Sequence, residues 1–276
     1  MAGKSGNKKI GVFDSGFGGL DILKGITKEN PYYEYIYLGD TARSPYGTRT
    51  QETIYTFTTQ AIDFFFENDC ALVILACNTA SAEALKKIQE EYLPQKYPGK
   101  KVLGVLIPAI EEAIEKSKNK RIGIVATKST VESGAFTREI NKRDKSIKVF
   151  EQACPLLVPI VEAGEQNHPA TKLIIEGYLK NLKKKEIDTL ILGCTHYGLL
   201  ENKIKKELGK GIRIISEARI VPKKLKEYLQ NHPEIEKTLS KKKKAEFYST
   251  DLSESFCRLG SIFFGEKIKA KKITLE

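Results

Sequence analysis

Cys77 and Cys194 each close an apolar run, LVILACNTA at 72–80 and LILGCTHYG at 190–198. Small polar groups follow at once, Asn78 and Thr79 in the first run, Thr195 and His196 in the second. A lone buried cysteine is ordinarily a small hydrophobe. Two at matching run ends, both beside groups suited to an anion, point to chemistry. A third run, KKIGVFDS, ends on Asp14 and Ser15 ahead of Gly16, Gly18 and Gly19. Each such turn offers free backbone N–H groups and short donors to a carboxylate or phosphate, although the same residues also serve as helix N-caps. Two thiols facing one small anion suit two reactions. One is a disulfide switch, but redox pairs commonly sit close in sequence or in contact. The other is proton transfer, in which a thiolate takes a proton from one face of a stereocentre and the other thiol returns one to the opposite face. A free thiol, with a pKa of about 8.5 that cations and helix N-termini lower, can fill both roles. Asp14 and His196 are candidate partners that would set which thiol ionises.

Strands must carry these ends. KKIGVFDS, YEYIYLGD, ALVILACN, KVLGVLIP, KRIGIVAT, DTLILGCT and IRIIS are short apolar runs bounded by turn residues. Helical spacing lies between them: Leu85, Ile88 and Tyr92 share one face, and Leu200, Ile204 and Leu208 another. Alternating strands and helices with continuous apolar strands define an α/β class, with parallel sheets covered on both faces. Ligands in such sheets bind beyond the carboxyl ends of the strands. The sequence also echoes itself. KKIGVFDSGFGG resembles KRIGIVATKSTVESG, and LVILACNT resembles LILGCTHY, at separations of 112 and 117 residues. The echo predicts two similar α/β halves with the site in the cleft between them.

The 276 residues suffice for two domains of ordinary size, and 12 Phe with 12 Tyr support a real core. The polar start MAGKSGNKK and the lack of any long apolar run predict a soluble, cytoplasmic protein without a membrane span. Five cysteines without a C-x-x-C pair argue against a disulfide framework and a zinc-finger-type metal site. The net charge of +11 raises the class of basic nucleic-acid- or protein-binding proteins. The lysines, however, fall in helical stretches interleaved with Glu, and no nucleic-acid motif accompanies them. DSGFGG matches neither a dinucleotide nor a P-loop fingerprint.

Taken in order, DSGFGG at 14–19, DTARSPYG at 40–47, ACNTAS at 76–81, ATKSTVESG at 126–134, ACPLLVPIVEAG at 153–164 and LGCTHYGLL at 192–200 resemble the glutamate racemases. More loosely they resemble the wider aspartate/glutamate racemase superfamily, and AEFYSTDLSESF near the C-terminus fits the same pattern. The resemblance implies cofactor-independent interconversion of L- and D-glutamate, supplying D-glutamate for peptidoglycan. An aspartate or other amino-acid racemase of the superfamily is the alternative. It implies Cys77 and Cys194 as the catalytic pair, assisted by Asp14 and His196 and more distantly by Asp40 and Glu162. Asp14, Ser15, Tyr46, Gly47, Asn78, Thr79, Thr195 and His196 match substrate-binding positions, with Thr127 and Thr130 adding contacts. It places residues 1–98 and 213–276 in a first domain and 99–212 in a second; a homodimer is expected. Gly198 stands where many members carry proline, and SEARIVPKK at 216–224 departs from the family pattern. Cys70, Cys154 and Cys257 are expected in the core, and His168 and His232 are given no role.

Overall fold

A computed structural model describes residues 6–276, apart from the side chains of Glu254 and Ser255; the start MAGKS lies outside the described residues. Among the described residues ten strands form two parallel sheets. The strands are β1 (Lys9–Asp14), β2 (Glu34–Gly39), β3 (Cys70–Leu75), β4 (Lys101–Gly104), β5 (Arg121–Ala126), β6 (Lys148–Ala153), β7 (Thr189–Gly193), β8 (Arg213–Ile215), β9 (Lys244–Ser249) and β10 (Ala270–Lys272). The first sheet runs β10-β9-β2-β1-β3-β4 and the second β6-β5-β7-β8. Every pairing is parallel. The α/β class with two helix-flanked parallel sheets is therefore what the fold shows.

The order explains where a site can form. After β1 the chain goes to β2 on one side and then crosses to β3 on the other. After β5 it goes to β6 and then crosses to β7. Each sheet thus has a switch point, between β1 and β3 and between β5 and β7, where adjacent connections leave in opposite directions and open a crevice. Register sets what lies at each mouth. Phe13 pairs with Leu75, and Asp14 with Gly39, so Asp14, Asp40 and Cys77 emerge along one edge. Ala126 pairs with Gly193, so Thr127 and Cys194 emerge together in the second sheet. The two sequence echoes fall on the equivalent middle strands, β1 and β5, and on their switch-point neighbours, β3 and β7.

The central strands β1, β2, β3, β5 and β7 are largely apolar because both of their faces are buried. Ile10, Val12, Leu72 and Ile74 belong to one core cluster, which continues into the second sheet through Ile122, Ile124, Leu190 and Ile191. Phe13, Val73 and Leu75 point to the opposite face, onto Phe65 and Ile62 of helix Gln51–Glu67. Helix Glu217–Asn231 packs against Gly19–Glu29 and Leu106–Lys116. It buries Ile220, Val221, Leu225 and Leu229, and so ties the two halves along one side.

Several elements differ from expectation. KVLGVLIP yields only β4, since Val105 already turns and helix Leu106–Lys116 begins; Pro108 is tolerated there because first-turn N–H groups need no helical partner. Leu85, Ile88 and Tyr92 do share a buried helical face, but the helix widens to a π turn at Ile88–Tyr92 and is separated at Ala84 from helix Asn78–Glu83. β4 joins the first sheet and β8 the second, so sheet membership changes between β4 and β5 and again between β8 and β9. Cys257 is a correction: it is exposed. Helix Glu254–Phe264 buries Phe256, Leu259 and Phe263 at helical spacing, which turns residue 257 outward. Cys70 and Cys154 are buried, and burial pushes each thiol up to about 12. The lysine-rich helices pair with carboxylates, as in Lys224–Glu227 and Lys172–Glu176. Among the described residues no helix is long and apolar enough to cross a membrane.

Candidate active site

Cys77 sits two residues beyond the end of β3, as the N-cap of helix Asn78–Glu83. Its sulfur accepts from the Ala80 N–H at 3.5 Å and its thiol donates to Ser15 Oγ at 3.4 Å. Ser15 follows Asp14 at the end of β1, so the β1–β3 crevice brings the sulfur to the DSGFGG turn. Cys194 caps the 3-10 helix Thr195–Leu200 after β7. His196 Nδ1 lies 3.9 Å from its sulfur, and His196 Nε2 lies 3.1 Å from Glu162 Oε1. This chain of sulfur, imidazole and carboxylate fixes the ring, which is wedged edge-on against Phe17 and Phe263.

Asp14 joins the two ends. Its Oδ2 accepts from the Gly16 and Gly19 N–H groups at 3.2 and 3.1 Å, and its Oδ1 accepts from Thr195 Oγ1 at 3.4 Å. It is fully buried. Burial raises its carboxyl above the ordinary range, opposed by the charge of His196 and the two backbone donors. Burial likewise pushes Cys77 up to about 11, the Asp14 charge adding to the rise while Ser15 and Ala80 oppose it. Cys194 is raised well above its ordinary value, again chiefly by burial. The His196 N–H opposes that rise, and the charges of Cys77, Asp14 and Glu217 add to it. Each thiol thus feels Asp14, and Cys194 feels Cys77: the two groups the sequence singled out share one electrostatic environment.

The walls of the cleft meet closely. A Cβ on Gly18 would stand 2.3 Å from Thr195 Oγ1, and one on Gly47 would stand 2.7 Å from Thr127 Cβ. Only glycine permits these approaches. The Thr79 hydroxyl is 3.1 Å from Thr127 Oγ1 and 3.4 Å from Thr130 Oγ1, which are 3.0 Å from each other. These three hydroxyls form a closed triangle across the two halves.

The remaining predicted residues divide. Tyr46 is buried and donates its hydroxyl to Asp40 Oδ2, which also accepts from Arg43 Nε at 2.7 Å. Asp40 Oδ1 accepts from Thr250 Oγ1 at 2.8 Å. Asp40 therefore has both oxygens committed to the protein and holds the SPYG loop in place. Asn78 Nδ2 donates to Glu217 Oε2 at 2.7 Å. Sequence reasoning missed Glu217; its signal, an acid opening a helix after a short strand, is indistinguishable from ordinary capping. His168 and His232 have structural work. His168 Nδ1 accepts from the Ala170 N–H at 3.1 Å, and His232 stacks on Tyr228 with ring centroids 4.0 Å apart. Among the described residues no three His, Cys, Asp or Glu side chains gather as a metal-ligand set.

Two α/β halves whose switch points open onto one another, each ending in a thiol, make the architecture of an amino-acid racemase, an isomerase. The Asp/Glu/Hydantoin racemase family model matches residues 19–223. Glutamate racemase of Aquifex aeolicus is 40% identical over 263 residues, covering 95% of this chain and 96% of the relative. Glutamate racemase isoform RacE1 of Bacillus anthracis has a similar structure, with a TM-score of 0.89, 33% identity and 98% of each chain covered. The Francisella tularensis glutamate racemase, solved in complex with D-glutamate, gives a TM-score of 0.88 at 30% identity, again over 98% of each chain. The chain belongs to the Asp/Glu/hydantoin racemase family, on its glutamate racemase branch.

Proposed function

We propose that this racemase interconverts L- and D-glutamate without a cofactor, using Cys77 and Cys194 as the two acid–base groups. One thiolate takes the Cα proton, forming an S–H bond, and the C–H electron pair passes into the α-carboxylate. The other thiol then gives its proton to the opposite face of Cα and is left as thiolate. The single observation that carries this reading is the arrival of the two sulfurs at one cleft from the switch points of two separate sheets. Burial favours the neutral form of both thiols in the free protein, so a proton must leave one of them before catalysis. Asp14 and the His196–Glu162 pair stand beside the thiols to assist. The hydroxyls of Ser15, Thr79 and Thr195 are placed to donate to the substrate carboxylates. The complex of the Francisella relative with D-glutamate supports the substrate. In the same reading the product D-glutamate feeds peptidoglycan synthesis in the cytoplasm, and the working form is a homodimer.

The test is racemisation of L-glutamate followed by circular dichroism in deuterated solvent, with L-aspartate run beside it. Glutamate should lose its handedness and take up deuterium at Cα. Cys77→Ala and Cys194→Ala should each abolish turnover, because a two-base exchange needs both groups. Near wild-type racemisation by either variant would refute the two-thiol scheme, and faster turnover of aspartate would overturn the substrate.

A further inference from the structure

Glu217 opens helix Glu217–Asn231 and comes from SEARIVPKK, yet its side chain points inward and is 3% exposed. Its Oε2 takes the Asn78 Nδ2 hydrogen bond at 2.7 Å. Asn78 is 2% exposed, and neither Asn78 Oδ1 nor Glu217 Oε1 has a hydrogen-bond partner within the protein. Glu217 also lines one small cavity with Cys194 and Thr195. The carboxyl therefore lies between the Cys77–Asn78 turn of one half and the Cys194–Thr195 turn of the other. A buried amide oxygen without a partner is costly to the free fold, and it sits next to a proposed acid–base thiol.

A primary amide has a donor face and an acceptor face. By taking one Nδ2–H, Glu217 fixes which way the amide faces, and the buried atom left without a partner is the acceptor Oδ1. Both carboxylates of glutamate are acceptors, and its α-ammonium group is its donor, so Oδ1 can serve only the ammonium. We propose that Glu217 is a positioning residue that fixes the Asn78 amide with Oδ1 presented to the substrate α-ammonium; the proposal rests on the glutamate racemase reading above. Without that anchor the amide can rotate and present Nδ2, a donor facing a donor. Burial also holds the Glu217 carboxyl toward its protonated, neutral form. That form keeps a carbonyl oxygen for Asn78 and a negative charge away from Cys194. The ammonium contact is the same in the ground and transition states, so its loss falls on KM rather than kcat.

The experiment compares the wild type with Glu217→Gln and Glu217→Met, measuring racemisation of both glutamate enantiomers together with Tm. Wild-type turnover checks the underlying reading; a wild type that does not racemise glutamate sinks that reading, whatever the variants do. With turnover present, Gln retains a neutral acceptor and should stay within about threefold of wild type. Met should raise KM for both enantiomers about ten- to a hundredfold and leave kcat within about twofold. In an Asn78→Ala background, Glu217→Met should add no further change in KM. A merely structural Glu217 would instead lower Tm and kcat, with KM unchanged and no dependence on Asn78. That result, or a Met variant with wild-type KM, overturns the proposal. Glu217→Asp withdraws the acceptor by one methylene, carries the same expectation as Met, and decides the matter if Met does not fold.

Discussion

Replacing Gly18 by alanine should force the two halves of the site apart. The backbone at Gly18 is helical, with φ −61° and ψ −32°, so alanine is acceptable to the chain itself. The added Cβ, however, would lie 2.3 Å from Thr195 Oγ1, 2.7 Å from Thr195 Cβ and 2.9 Å from the His196 nitrogen. Rotation about χ1 of Thr195 can remove the first contact but neither of the others, which are fixed to the backbone. Restoring these to an ordinary separation requires the Cys194–His196 turn to move from the Asp14–Gly19 turn by roughly 0.6–0.8 Å. Overpacking of this kind costs about 1–3 kcal/mol of stability, a fall of a few degrees in Tm. Catalysis should suffer more, because a misplacement near 1 Å between reacting groups is worth about a hundredfold in rate. The assay is kcat by circular dichroism from L- and from D-glutamate, with Tm measured on the same samples. A Gly18→Ala enzyme with kcat within threefold of wild type would refute the argument that this approach sets the distance between the thiols.

Gly177 supplies the opposite case. It lies in helix Pro169–Lys183 with nothing within 4 Å of its would-be Cβ, so Gly177→Ala should raise stability by about 0.5–1 kcal/mol without changing kcat; a lower Tm would contradict the helical account. The pH profile tests the thiols. With Cys77 pushed up to about 11, its thiolate is scarce at neutral pH and grows tenfold per unit. Free-enzyme kcat/KM should therefore rise with pH from about 6.5 to 8.5. A flat profile would show that the proton never leaves to solvent.

Legibility in the sequence followed burial. β1, β2, β3, β5 and β7 were readable because a strand covered on both faces is apolar along its length, and β4 and β8 as short apolar runs. β6, β9 and β10 were not. KVFEQA and KAEFYS are half-buried runs with charges interleaved, and β10 is three residues at a sheet edge. The cysteines stood out because a thiol followed by Asn-Thr or Thr-His is odd at the end of an apolar strand. Asp40 was readable as part of a motif, but its full set of partners was not, since Thr250, which occupies its other oxygen, is 210 residues away in sequence. Glu217 was invisible for the same reason: its partner Asn78 is brought to it only by the packing of helix Glu217–Asn231 across both halves.

The triangle of Thr79, Thr127 and Thr130 makes a seam without an ion in it. Around the ring each hydroxyl can give one hydrogen bond and take one, Thr127 Oγ1 accepting from the Thr130 N–H as well, so the circuit can run in either sense on the same three oxygens. When the halves part, water can replace each lost bond in kind, and no stranded charge has to be hydrated. A carboxylate arriving at the seam would break the circuit differently, turning all three donors toward itself.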